Sequence, residues 1–117
     1  MSQKAFLITI RIHNGPHDYD EYPVVYADSA ERAKELIWAY LQCGYYQGAD
    51  PGEWTIKNEE THTIKEAYGD RLYSIHSVRQ IPAEHAKVLT EYMAWGATED
   101  ARRAVETLKT YTPTEED

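Results

Sequence analysis

His13 and His17 stand four residues apart, with Asp18 and Asp20 just beyond them. Imidazole and carboxylate are both metal ligands, so His13, His17 and one of the two aspartates could hold an ion in a tight loop. The intervening Asn14-Gly15-Pro16 rules out a helix that would put both imidazoles on one face. A plain polar turn is the competing reading. With a single cysteine and no CxxC or HExxH pattern, a structural zinc site is not expected. That cysteine, Cys43, falls at the C-terminal end of an expected helix, where the helix dipole disfavours the thiolate a nucleophile needs. Carboxylates are plentiful, but acid–base work needs one held in an apolar pocket, which linear sequence does not display. Gly44, Gly48 and Gly52 are spaced unlike a phosphate-binding loop. The expectation is a protein with no catalytic residue, no metal and no cofactor.

The densest chemistry lies in Asp18-Tyr19-Asp20-Glu21-Tyr22, where three carboxylates interleave with two phenol rings. Two readings compete. Charge on an edge strand keeps copies of a protein from pairing edge to edge. The same groups also make a contact surface for a basic partner, since tyrosine supplies rigid amphipathic area and carboxylates pair with Lys or Arg. Trp38 lies at the border of the polar face of its helix, either packed over the sheet or exposed as an interface anchor. Tyr45 and Tyr46 follow that helix into a glycine-rich loop. One of them is expected to cover the core edge and the other to face solvent. Asp18, Tyr19, Asp20, Glu21, Tyr22, Trp38, Tyr45 and Tyr46 are the candidate partner-binding residues.

The elements that must position them follow from hydrophobic periodicity. Ala5 to His13 reads as a strand with Phe6, Ile8, Ile10 and Ile12 on one face and Leu7, Thr9, Arg11 and His13 on the other. Asn14-Gly15 begins a turn. A second strand spans about Tyr19 to Ala27, and Pro23, lacking an N–H, favours a sheet edge. Asp28-Ser29-Ala30-Glu31 resembles a capping box with Asp28 at the cap, opening a helix to about Cys43. Its apolar stripe is Ala30, Ala33, Leu36, Ile37, Tyr40 and Leu41, with Gln42 opposite.

Tyr45 to Gly52 reads as a loop and Glu53 to Asn58 as a strand. Glu59 to Asp70 is either a long hairpin arm or contains a short helical turn. Arg71 to Ile81 is a strand whose broken alternation places a bulge near His76-Ser77. Pro82 suits the first turn of a helix with Val88, Leu89, Tyr92 and Met93 inward, stopped by Gly96. A last helix, capped by Thr98, carries Ala101, Ala104, Val105, Leu108 and Tyr111. The order is ββαββαα. The expected fold class is α+β, an antiparallel sheet of three to four strands with helices packed on one face.

The chain has 117 residues, which is one domain, here residues 1–111 with an acidic tail at 112–117. Leu, Ile, Val and Phe supply only 20 of the 117, about 17%, under the roughly 20% line that with high charge marks disorder. Ten Tyr and three Trp make up the missing apolar area. Twelve basic against twenty acidic residues give a net charge of −8, which argues against direct binding to nucleic-acid phosphates. No segment approaches the roughly 18 apolar residues of a membrane span, and the start is not a signal peptide. A lone cysteine fits a reducing cytoplasm.

Phe6 to Gly15 (FLITIRIHNG), Tyr19 to Tyr22, Ala27 to Ala33 (ADSAERA) and Ser74 to Ile81 (SIHSVRQI) together have a recognisable cadence. The chain resembles small proteins of bacteriophages and mobile elements that have a VTxRIxNG strand, a Tyr-rich second strand and a helix entered through an acidic box. The likeness covers roughly the first 35 residues and one later strand. It transfers no functional residue, and the C-terminal helix pair and Trp95 depart from it. It implies a setting in which small acidic proteins inhibit host machinery, as anti-CRISPR and anti-restriction factors do. The expected function is a non-enzymatic domain that occupies a basic, nucleic-acid-binding host protein. The alternatives are a self-associating module, such as a homodimer, and a Tyr- and Trp-lined pocket for a nucleotide signal.

Overall fold

The computed structural model describes residues 3–14, 16–42, 54–66 and 71–110. Its elements in chain order are β1 (Lys4–Asn14), β2 (His17–Glu21), β3 (Val24–Ala27), α1 (Ala30–Gln42), β4 (Trp54–Asn58), β5 (Thr63–Glu66), β6 (Arg71–Ile81), α2 (Ala83–Glu91) and α3 (Thr98–Thr110). One antiparallel sheet runs β2-β1-β6-β5-β4, with β3 also paired to β1. The register of β1 against β2 (Ile10 opposite Glu21) continues unchanged into β3 (Leu7 opposite Val24). These two are therefore halves of one edge strand, interrupted where Pro23 has no N–H to give the ladder. The Ile8 amide still donates to the Pro23 carbonyl at 3.0 Å. With β2–β3 counted as one strand and β5 as the return arm of the β4 hairpin, the order is ββαββαα and the class α+β. That order counts the β4–β5 hairpin as one unit; with its two arms counted singly the sheet is five strands wide, one more than the most expected.

The core follows from alternation in β1. Phe6, Ile8, Ile10 and Ile12 are fully or almost fully buried, joined by Val25, Tyr73 and Ile64 from neighbouring strands and by Ala33, Leu36, Ile37 and Leu41 of α1. The β1–β6 ladder shifts by one residue between Thr9 and Ile10, leaving His76 as the extra residue between Ile75 and Ser77. This bulge, placed as the pattern predicts, keeps both Ile75 and Val78 on the core face. Glu59 to Asp70 begins as the hairpin alternative: Asn58 Oδ1 accepts the amides of Glu60 and Thr61 at 2.9 and 3.1 Å, and β5 comes next. Residues 67–70 lie outside the described residues.

Helix placement differs from the expectation in five ways. The cap of α1 is Ser29, whose Oγ accepts the Arg32 amide at 3.1 Å, one residue beyond Asp28. The first helical residue is Ala30, so the third amide in, the one a cap reaches, belongs to Arg32 and not to Glu31. The buried surface of α1 is wider than one stripe. Ala39 packs against Ala104 of α3, and Gln42 is buried with its Nε2 donating to the Trp38 carbonyl at 3.4 Å. Sandwiching between the sheet and α3 explains both.

The helices are also not all on one face. α1 and α3 share the core face, whereas α2 covers the other, where Ala5, Val24 and Ile81 meet Ala86, Leu89 and Trp95. The inward residues of α2 are thus Ala86 and Leu89, and the expected inward Val88, Tyr92 and Met93 are exposed. A chain that follows the outer face through α2 and rounds the β3 edge before α3 satisfies both faces of β1, since Ala5 and Leu7 on the outer face also need cover. Thr98 does not cap α3; its Oγ1 accepts the Tyr26 amide at 3.0 Å, tying α3 to β3.

Ile10 is wholly buried at the centre of the ladder. Truncation in Ile10→Ala is expected to lower unfolding free energy by about 2–5 kcal/mol. A urea unfolding curve, with its midpoint displaced and its slope kept, checks this.

Candidate functional site

Strand alternation splits the acidic run into two surfaces. Asp18, Asp20 and Tyr22 oppose His13, Arg11 and Thr9, so they lie on the outer face, the one that carries α2. Tyr19 and Glu21 oppose Ile12 and Ile10 and emerge on the other side. Asp18-Tyr19-Asp20-Glu21-Tyr22 is therefore not one continuous patch. This is a correction to the expectation of a single interleaved surface.

The outer face carries two cross-strand pairs. Arg11 reaches Asp20 with two hydrogen bonds, Nε to Oδ1 at 3.0 Å and an Nη to Oδ2 at 3.3 Å. His13 Nδ1 and Asp18 Oδ1 are 2.7 Å apart. The Ile8 amide donates across the ladder to the Pro23 carbonyl, so every second pair from there is hydrogen-bonded. Arg11 with Asp20 and His13 with Asp18 are then the closer, non-bonded kind, which brings their side chains together. The Arg11 hydrogen bond, and after it the Arg11 charge, hold the Asp20 carboxyl below its ordinary value, opposed by partial desolvation. His76 at the bulge and the Tyr22 hydroxyl act in the same direction. Exposed pairs of this kind add little stability, but they fix where the carboxylates stand.

Beyond Asp20 the face becomes aromatic. The Tyr22 ring stacks on Trp95, with centroids 5.4 Å apart and planes at 29°. The Trp95 carbonyl accepts the Val24 amide at 2.8 Å, and its own amide donates to Leu89 at 3.1 Å. Trp95 so connects the strand edge to α2, whose outward side carries Val88 and ends in Tyr92, which is 80% exposed, and Met93. With Tyr19 and Tyr22, these are the exposed large hydrophobics among the described residues. Sequence reasoning missed Tyr92, Met93 and Val88 as surface because their helical spacing reads equally as an inward stripe, and it gave Trp95 no place in the fold.

Trp38 belongs elsewhere. It is 7% exposed and packs in the core under the sheet, so the packing alternative describes its place and the exposed-anchor alternative does not. Its Nε1 donates to Glu59 Oε1 at 3.0 Å, and His62 meets its ring edge-on at 4.9 Å. His62 has φ of 53°, the left-handed region, where it completes the β4–β5 turn. Burial, reinforced by Lys34, pushes its imidazole below its ordinary value, with Glu59 opposing. A shallow groove of about 340 Å³ lies beside it, lined by Trp38, His62, Arg32, Glu35, Val105 and Leu108. Tyr45, Tyr46 and Cys43 lie outside the described residues. Among the described residues no three His, Cys, Asp or Glu converge to hold a metal, and no helix is long and apolar enough to cross a membrane.

The depressed Asp20 carboxyl and His62 imidazole both favour the fold at higher pH, in different pH windows. A carboxyl depressed in the fold contributes stability above its unfolded pKa that is lost as pH falls through the folded value. Arg11→Gln should accordingly return the Asp20 midpoint toward 3.8, read by carboxyl NMR, without unfolding the domain. A depressed imidazole favours the fold above its ordinary 6.5 and loses that contribution as pH falls toward the folded value. His62→Asn, which tolerates the left-handed backbone, should flatten the fall in melting temperature on acidifying from about pH 6.5.

No family model, no curated protein and no solved structure matches the chain.

Proposed function

We propose that the chain is a non-enzymatic protein-binding domain that recognises a basic surface on its partner. The observation that carries the proposal is the composition of the outer face, where the oriented carboxylates of Asp18 and Asp20 run into the stacked Tyr22–Trp95 pair and the exposed end of α2. Carboxylates with rigid aromatic area beside them supply the polar rim and the anchor of a protein interface. A domain of net charge −8 is repelled by phosphates and steered toward proteins that hold them. The likeness to phage and mobile-element proteins points the same way, to inhibition or modulation of a nucleic-acid-binding host protein.

The test is capture from a bacterial lysate by the wild type and by a variant with Asp18, Asp20 and Glu21 all changed to Ser, with affinity then measured on the captured protein. Binding is expected to weaken by at least about tenfold as salt rises from about 50 to about 500 mM, and to be lost in the variant. Equal capture by both proteins, or salt-independent affinity, overturns the reading.

A further inference from the structure

The edge of the sheet is finished along one half and open along the other. The Ile8–Pro23 bond sets the phase of the ladder, so the amides and carbonyls of Tyr26, Val24, Tyr22, Asp20 and Asp18 point away from β1. Along β3 these groups are met. The Val24 amide donates to Trp95, its carbonyl accepts the Ala97 amide, both at 2.8 Å, and the Tyr26 amide donates to Thr98 Oγ1. The α2–α3 connection thus lies along β3 as a short parallel bridge at Gly96. It ends there. β2 pairs with β1 alone, and among the described residues nothing meets the outward backbone groups of Asp18, Asp20 and Tyr22. These form a row with the two-residue spacing of a strand ladder, its Asp18 end exposed.

We propose that the open β2 edge takes an extended, Lys- or Arg-bearing segment of a partner protein as an added strand, with Trp95 marking where that strand must stop. The proposal rests on the protein-binding reading and names its mode. Backbone groups on an unpaired edge bind any extended chain, and side chains choose among them. Here the choice is made by charge. Two copies of β2 set edge to edge would place Asp18, Asp20 and Glu21 against their own kind, and like charges directly across a ladder are destabilising. Arg11 offsets one of those three charges and leaves the edge acidic. A segment with cations at alternate positions faces Asp18 and Asp20 on the outer face. The stem of a third long side chain can lie on the Tyr22 ring, which the Trp95 stack holds in place.

The probe is a synthetic peptide of about seven residues alternating lysine and valine. It is compared with the same peptide N-methylated on alternate amides and with a glutamate–valine version. Amide shifts and hydrogen exchange of the full chain are monitored by NMR. The lysine peptide is expected to shift and protect the amides of Asp18, Asp20 and Tyr22. N-methylation is expected to weaken it at least about tenfold, and the glutamate version to leave those amides unchanged. Equal binding by the methylated peptide overturns strand addition while leaving acidic recognition standing, because the charges are the same. No effect at those three amides at millimolar peptide overturns it as well. Protection that grows with protein concentration alone assigns the edge to a second copy and overturns the basic-segment proposal. The protein-binding reading fails separately, if lysate capture is indifferent to salt and to the acidic substitutions.

Discussion

A strand's side chains can face only two ways, and β1 is paired along both edges, so its alternation propagates across the sheet. The four apolar residues of one parity make the core with α1. Those of the other parity must be dealt with differently along its length. At one end Ala5 and Leu7 are covered by α2 and Trp95; at the other Arg11 and His13 stay open and meet carboxylates from β2. The boundary falls at Thr9, opposite Tyr22, where the aromatic stack closes the covered half. The position of the candidate surface is therefore a consequence of where cover runs out on the outer face.

Pro23 has a related effect. It sits at a position whose N–H would point inward, so its absence costs one ladder bond and divides the edge strand. The register does not slip, because the alternation on both sides of the break is tied to the same β1. On the β3 side of the break the α2–α3 connection seals the edge, and on the β2 side no described residue pairs with it. The bulge at His76 plays the complementary part on the opposite edge of β1, absorbing one residue so that Ile75 and Val78 both stay in the core.

Most of the sheet was legible because period-two patterns in β1 and β6 are strong and carry their own irregularities. Even the bulge showed as a break in alternation. The cap of α1 was displaced by one residue because Asp28 and Ser29 are both good caps, and only the path of the chain decides between them. The orientation of α2 was not legible. Val88, Leu89, Tyr92 and Met93 make a convincing apolar stripe, yet the helix is short and leaves through a left-handed Ala94, φ 59°, so that of the stripe only Leu89 packs inward, beside a half-buried Trp95. The acidic run was legible as chemistry but not as geometry, since five consecutive residues on a strand cannot share a face. Trp38 sat at a border that a second helix turned into interior.

The pairing of Asp20 with Arg11 and of Asp18 with His13 bears directly on recognition. Partners inside the fold reduce the charge a carboxylate offers, and an edge neutralised in full would attract nothing. The pairing here is incomplete: the two carboxylates face one guanidinium and one imidazole, and Glu21 adds a third anion on the reverse side. What the internal bonds remove in charge they return in order, because each holds its carboxylate against a cross-strand partner instead of leaving a free rotor. An edge strand whose acids were unpaired would carry a larger field with no fixed geometry, sufficient for steering but poor at choosing among cations. In the proposed mode of binding, held acids beside the unpaired amides of β2 distinguish a flat, extended basic chain from a folded basic surface. That distinction depends on the backbone of β2 as much as on its side chains.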